Sequence, residues 1–368
     1  MTAPAAAAES DGDLIVRREG AAGIIRLNRP KALNAMTYEM SLGIDAALDR
    51  FEQDPAVAVV VLEGAGERGL CAGGDIRGLY ESSKAGGDLG KVFWRQEYVM
   101  NARIAKYAKP YIAFMDGLVM GGGVGLSAHA RHRVVTEKTK LAMPEVGLGF
   151  FPDVGGTWLL TRSPGEIGTC FGLTGQTMNG PDAIFAHFAD AVVPSGRLPA
   201  LREVLTTVRP GATSAEVDTI IAGFATGESA GPVAANQASI DRWFAHDRME
   251  DIFRALERDG SELAQSTLKA LNEKSPRGMV VTLRLLRLAR NATSLEECLV
   301  REYRAALEVF RSNDFREGVR AAVIDKDRNP RWSPPRIEDV TSEMLAPYFA
   351  EIGADELVFQ KENNRNRS

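Results

Sequence analysis

Two carboxylates, Glu145 and Asp153, stand in an otherwise apolar, glycine-rich stretch: Met143-Pro144-Glu145-Val146-Gly147-Leu148-Gly149-Phe150-Phe151-Pro152-Asp153-Val154-Gly155-Gly156. If both faced one cavity with such walls, desolvation and mutual repulsion would drive them toward proton uptake. A pair of that kind can act as general acid, general base or nucleophile. The plainer alternative is that Glu145 ends a strand at the solvent and Asp153 caps the next helix. Two glycine clusters, Ala72-Gly73-Gly74 and Gly121-Gly122-Gly123, supply a second ingredient. Their backbone N–H groups could converge on an oxygen that becomes negative during reaction, with Gly122 at the start of a helix. Their plainer role is close packing, which glycine permits.

Other chemistries find less support. Neither cluster spells GxGxxG, and no GxxxxGK[ST] phosphate loop occurs, which disfavours nicotinamide and nucleoside triphosphate chemistry. No Gly-x-Ser-x-Gly elbow is present, and Cys71 has no identifiable local base. His129, His132 and His187 lack metal-ligand spacing, and His129 within a helix reads as structural or surface-exposed. Cys71, Cys170 and Cys298 are odd in number and far apart, so neither a disulfide framework nor a thiolate metal site is expected.

The elements around these residues repeat a strand, glycine-rich turn, helix grammar. Leu14–Val16 and Gly23–Leu27 read as a hairpin about Glu19-Gly20. Thr37 caps a helix whose apolar positions are Met40, Ile44, Leu48 and Phe51. Val57–Leu62 lacks polar alternation and reads as a buried strand. A helix over Val92–Tyr107, the strand Tyr111–Met115 and the glycine entry at Gly121 follow. Strands near Arg133–Thr136 and Lys140–Met143 then lead through the Pro144–Gly156 loop to a helix near Thr157–Leu160. This predicts an α/β core carrying a loop-built site.

Beyond about Pro199 the pattern turns helical. Expected helices are Ala215–Phe224, Ser239–Ala245, Met249–Arg258, Ser261–Asn272, Gly278–Arg290 and Ser294–Arg311. The last opens on a Ser294/Glu297 capping pattern and carries a stripe of Leu295, Leu299, Tyr303, Ala306 and Phe310. The organisation expected is a core over 12–198, a helical region over 199–355 completing the same catalytic unit, and mobile tails at 1–11 and 356–368.

The chain has 368 residues, with 44 Lys and Arg against 49 Asp and Glu. A net charge of -5 offers no general attraction to nucleic acid or anionic lipid, though a local basic patch for a phosphorylated ligand remains compatible with it. The apolar runs are far too short to span a bilayer. The first residues lack the basic start of a targeting signal, so a cytoplasmic protein is the expectation.

Gly69–Asp75, Gly117–Ser127 and Met143–Gly156 resemble the three signature segments of the enoyl-CoA hydratase/isomerase (crotonase) superfamily. The resemblance spans roughly Leu14 to Val193. It implies a spiral of ββα units of the ClpP/crotonase kind, binding acyl-CoA. By it the N–H groups of Gly74 and Gly122 form an oxyanion hole, while Ala72, Gly73 and neighbouring backbone line the path of the CoA arm. Hydratases of this superfamily carry one catalytic Glu at the position of Gly125 and a second at that of Glu145, so ordinary hydration is disfavoured here.

Asp153, Arg95-Gln96-Glu97-Tyr98, and the C-terminal Asp325-Lys326-Asp327-Arg328-Asn329-Pro330-Arg331-Trp332 look like the branch that hydrolyses 3-hydroxyisobutyryl-CoA in valine breakdown. Related members take 3-hydroxypropionyl-CoA. The resemblance implies Glu145 and Asp153 as catalytic residues that also bind substrate, and Glu97 as a substrate-side carboxylate. No metal or separate cofactor is implied, since CoA enters as part of the substrate. It also implies a trimer or hexamer. The alternatives are an enoyl-CoA hydratase/isomerase and a catalytically silent binding or scaffold protein.

Overall fold

The computed structural model describes residues 12–227 and 231–359. The expected N-terminal tail, 1–11, lies outside the described residues, as do 360–368 of the expected C-terminal one. Residues 356 and 357 are tied down: Leu357 is buried and Glu356 accepts from Arg304 Nε at 2.9 Å.

The N-terminal hairpin is β1 (Leu14–Glu19) and β2 (Ala22–Leu27), antiparallel with Leu14 opposite Leu27. Three strand pairs follow: β3 (Val59–Gly64) with β4 (Gly69–Cys71), β5 (Tyr111–Met115) with β6 (Leu118–Met120), and β7 (His132–Val135) with β8 (Lys140–Ala142). The short strand β9 (Ala191–Val192) comes last. The first member of each pair adds in parallel to a six-stranded sheet, β1-β2-β3-β5-β7-β9. The second members form a separate parallel sheet, β4-β6-β8. Each unit thus sends its chain from the large sheet to the small one and then into a helix.

The unalternating run in β3 is explained by burial on both faces. Val60 and Leu62 pack with Met40, Ile44, Leu48 and Phe51 of α1 (Tyr38–Gln53). Val59 and Val61 pack on the opposite side, with Leu201, Leu205, Val217 and Ile221. Each fully buried Val or Leu contributes roughly 1.5–3 kcal/mol. Thr37 accepts from Met40 N as its capping pattern predicts.

Two helices come between β4 and β5, α2 (Ile76–Lys84) and α3 (Leu89–Ala105). After β6 comes the six-residue α4 (Gly122–Ser127), and after β8 a 3-10 turn, Glu145–Leu148, then α5 (Gly156–Leu160), α6 (Ile167–Thr174) and α7 (Gly180–Phe185). The helical remainder is α8 (Leu198–Thr206), α9 (Ser214–Ala222), α10 (Pro232–Phe244), α11 (Met249–Asp259), α12 (Glu262–Asn272), α13 (Pro276–Ala289), α14 (Leu295–Arg311), α15 (Asn313–Val319) and α16 (Ser342–Phe349). The helix expected at Ser239–Ala245 is only the second half of α10, whose first half has a Pro start and no apolar period.

The stripe on α14 is consumed within the chain. Leu295, Leu299, Tyr303 and Phe310 are all buried. Tyr303 meets Tyr98 edge-on at 6.2 Å, and Phe310 meets Trp94 at 5.5 Å. Its apolar face therefore covers α3 of the same chain, and the stripe leaves no apolar face for a second subunit. The Ser294 cap accepts from Glu297 N, but the Glu297 carboxylate turns to Thr293 N, so only half of the expected capping box forms.

Candidate active site

The small parallel sheet is what gathers the site. Its three strands end at the same edge, as chain ends of parallel strands must, and a crevice opens there. β4 delivers Ala72-Gly73-Gly74, β6 delivers Gly121-Gly122, and β8 delivers Pro144-Glu145. A cavity of about 200 Å³ at this edge is lined by all seven expected site residues: Ala72, Gly73, Gly74, Glu97, Gly122, Glu145 and Asp153. Phe93, Trp94, Leu148 and Phe150 supply apolar wall.

The plainer reading of the two carboxylates is thereby excluded. Glu145 opens the turn after β8 and is 7% exposed, while Asp153 is 5% exposed and leaves the capping position of α5 to Gly155. Glu97, from the middle of α3, is 2% exposed. One oxygen on each of Glu97 and Glu145 is buried without a hydrogen-bond partner among the described residues. A buried unpaired carboxylate oxygen costs free energy unless it is protonated or waits for a ligand. Burial, then the Asp153 charge, pushes both Glu97 and Glu145 well above the usual carboxylate range. Asp153 is pushed up to about 7 by burial, against the pull of the Tyr98 hydroxyl, which donates to Oδ2 at 2.6 Å.

Two backbone donors face these acids. Gly74 pairs with Met36 in a parallel bridge whose bonds run from Met36 N to Gly73 O and from Asp75 N to Met36 O. The Gly74 N–H takes no part in that bridge. Gly122 is the first residue of α4, where a helix has no internal acceptor for its N–H. A Cβ built on Gly122 would lie 3.3 Å from Gly74 N and 2.6 Å from Glu97 Oε1, which places donors and acid around one small volume. On Gly121, whose φ is +49°, it would lie 2.9 Å from Glu145 Oε1.

The structure also assigns parts to residues the sequence reading quoted without a role, or did not single out. Tyr98, one residue after Glu97, holds Asp153 as described. Glu302 reaches in from α14, fully buried, and its carboxylate accepts from Gly155 N at 2.7 Å, Thr157 N at 3.0 Å and the Thr157 hydroxyl. Burial pushes it up to about 7. His129 is structural: its Nε2–H donates to the Val154 carbonyl at 2.8 Å, and burial holds its pKa down to about 4.

Val154 needs such support because a β-branched residue at φ +54° is strained. The other two histidines go elsewhere, His132 to Asp218 and His187 to the Arg162 carbonyl. Cys71 is fully buried, its Sγ–H directed at the Gly73 carbonyl at 3.4 Å, and burial pushes its thiol up to about 12, away from the thiolate a nucleophile needs. The signal for Glu302 was a charged residue on the apolar stripe of α14, one position before Tyr303.

The Asp153 loop is therefore latched by α14. Glu302→Ala would strand two buried N–H groups and a hydroxyl, an expected loss of about 3 kcal/mol of stability. The variant should also lose turnover under conditions where it remains folded. Glu302→Gln keeps one acceptor oxygen and should fall between. Denaturant unfolding beside steady-state turnover checks both, and wild-type stability in Glu302→Ala would remove the latch.

Gly125 closes off a different chemistry. Added there, a Cβ would sit 2.7 Å from Val154 Cβ and 2.9 Å from Asn101 Nδ2, so the second carboxylate of a hydratase has no room without moving the loop.

A profile of the enoyl-CoA hydratase/isomerase family matches residues 22–349. The chain is 39% identical to the mitochondrial 3-hydroxyisobutyryl-CoA hydrolase of Gallus gallus over 95% of its length and 91% of that protein's. With the human protein of the same name it shares 38% identity over 94% of its own length and 91% of the relative's. Among solved structures, a carnitinyl-CoA dehydratase from Mycobacterium thermoresistibile superposes with a TM-score of 0.90 at 41% identity, covering 96% of this chain and 100% of that one. An enoyl-CoA hydratase from Rhodobacter sphaeroides gives 0.87 at 43%, covering 95% and 100%. No helix among the described residues is long and apolar enough to cross a membrane. The signature segments, the paired sheets and these likenesses agree: the chain belongs to the enoyl-CoA hydratase/isomerase family, with its fold.

Proposed function

We propose that this protein hydrolyses the thioester of 3-hydroxyisobutyryl-CoA, releasing CoA and the free 3-hydroxy acid. The observation that carries the reading is the buried Glu145 carboxylate, one oxygen of which has no hydrogen-bond partner among the described residues, in the cavity that Gly74 and Gly122 also line, combined with the closed position at Gly125. The donors would hold the thioester oxygen as it becomes negative. Glu145, as carboxylate, either attacks the carbonyl carbon, expelling the thiolate and leaving an anhydride that water then cleaves to the free acid, or takes a proton from water that attacks the carbonyl carbon directly. Asp153 reads the 3-hydroxyl and, pushed up to about 7 by burial, gives a proton to the departing thiolate. Glu97 shapes the hydroxyacyl end. CoA is part of the substrate, and none of these steps calls on a metal or separate cofactor.

The relatives named 3-hydroxyisobutyryl-CoA hydrolase favour this substrate, and valine breakdown is the context the family resemblance attaches to it. The 3-hydroxypropionyl thioester lacks one methyl, a difference a pocket discriminates by only about 1–3 kcal/mol. Hydration is the second reading, consistent with the names of the two similar structures but not favoured by them, and opposed by Gly125. The relatives are named mitochondrial, so the comparisons do not support the cytoplasmic expectation for this chain. The trimer or hexamer expected from the resemblance would have to use a face other than the α14 stripe.

Asp153→Asn tests the reading through substrate choice. Turnover of the 3-hydroxyacyl thioester should fall about tenfold or more beyond the loss seen with the matching thioester that lacks the hydroxyl. Equal proportional loss on both would remove Asp153 as the hydroxyl reader.

A further inference from the structure

A CoA thioester carries a diphosphate and a phosphomonoester that the 200 Å³ cavity cannot hold, so they must lie beyond its mouth. Val323 lines the mouth together with Ala72, Ile76 and Leu148. It belongs to a π-helical turn, Arg320–Ile324, and its carbonyl accepts from the exposed Arg77 Nη2 at 3.3 Å. Immediately after this turn come Asp325-Lys326-Asp327-Arg328-Asn329-Pro330-Arg331.

The charges of this loop are sorted. Arg320 Nη1 takes both Asp325 and Asp327 at 2.7 Å, and its other nitrogens take the two Glu317 oxygens at 2.9 and 3.0 Å. The side chains of Lys326, Arg328 and Arg331 are exposed and make no hydrogen bond or ion pair among the described residues. Lys326 and Arg328 both stand at positive φ, +60° and +55°, conformations that side chains adopt only when the surroundings hold them. The holding contacts are the Arg320 cluster and the bond from Arg328 N to Ala321 O. Glu317 further accepts from Arg331 N. A chain of net charge -5 thus presents bare cations on a braced loop just outside its cavity.

We propose that Lys326 and Arg328, with Arg77, which bonds to the turn just before them, form the subsite for the phosphate groups of the CoA arm. The proposal rests on the acyl-CoA reading of the cavity. It assigns the braced loop to affinity and encounter and leaves the chemical step to the buried acids. Attraction between exposed charges is screened by salt, so the contribution should shrink as ionic strength rises.

The test compares wild type, the double variant Lys326→Ala/Arg328→Ala and the charge-keeping Lys326→Arg/Arg328→Lys. Each is assayed on 3-hydroxyisobutyryl-CoA and on its pantetheine thioester, which keeps the acyl group and arm but has no diphosphate. The alanine pair should raise KM for the CoA thioester about tenfold or more at low salt, with kcat nearly constant. The charge-keeping pair should recover most of the loss, and the pantetheine thioester should respond within about twofold to either. Equal loss on both thioesters, or no loss on either, overturns the subsite. Calorimetric binding of free CoA reads the same subsite without hydrolysis. Weaker CoA binding in the alanine pair upholds it even if wild type released no thiol from either substrate, a result that would instead sink the hydrolase reading. Unchanged CoA binding overturns it.

Discussion

Glu145→Gln is expected to lower kcat by about 1,000-fold or more while leaving acyl-CoA binding measurable. The amide keeps the shape of the side chain but has neither the anionic oxygen that attacks nor the base that activates water. The same substitution should leave stability unchanged or raise it. Burial, then the Asp153 charge, raises the folded-state pKa of Glu145 well above its unfolded value. For such an acid the folded state binds more protons, so the stability present below the unfolded value near 4 is lost as pH climbs through the folded value. Asp153 shows the same sign up to about 7.

Removing the acid at Glu145 should therefore flatten the decline of unfolding free energy as pH rises above the ordinary carboxylate range. In wild type the same ionisation should put the rising limb of kcat/KM above the ordinary carboxylate range. A variant that lost turnover by unfolding would show a lower melting midpoint, and that would refute the assignment of the loss to chemistry.

Gly122→Val is expected to cost about 100- to 1,000-fold in kcat, the range found when one oxyanion donor is lost. The added Cβ would stand 2.6 Å from Glu97 Oε1 and 3.3 Å from Gly74 N, and the two further methyls of valine need more room than a shift of the Glu97 carboxylate gives, so acid and donors must separate. The damage should fall on kcat more than on binding of free CoA, because the donors act on charge that develops only during reaction. Gly122→Ala should do less, since one methyl can be met by a shift of the Glu97 carboxylate. A correctly folded Gly122→Val with full turnover would exclude this N–H from the mechanism.

The sequence shows the large sheet far better than the small one. Val57–Leu62 and Tyr111–Met115 are apolar runs that read as buried strands at sight. β4 and β6 have three residues each and sit in glycine-rich text, too short for any period to emerge. Yet these two, with β8, bring Gly74, Gly122 and Glu145 to one edge. The residues of the site were legible because their types are rare in apolar, glycine-rich surroundings and because the segments resemble a known family.

What local pattern cannot carry is partnership across long separations. Tyr98 meets Asp153 over 55 residues and Glu302 meets Thr157 over 145. The burial of the α14 stripe against its own α3, rather than a neighbouring subunit, is legible only once both helices are placed.

The central claim is that this cavity breaks a thioester rather than adding water to a double bond. The most direct test gives purified wild-type protein 3-hydroxyisobutyryl-CoA and, separately, the enoyl-CoA formed from it by loss of water, with every product identified by mass and free thiol counted. Thiol release matched one to one by 3-hydroxyisobutyrate, with little or no interconversion of the two thioesters, is the predicted result. Interconversion of the two thioesters without release of CoA would contradict it.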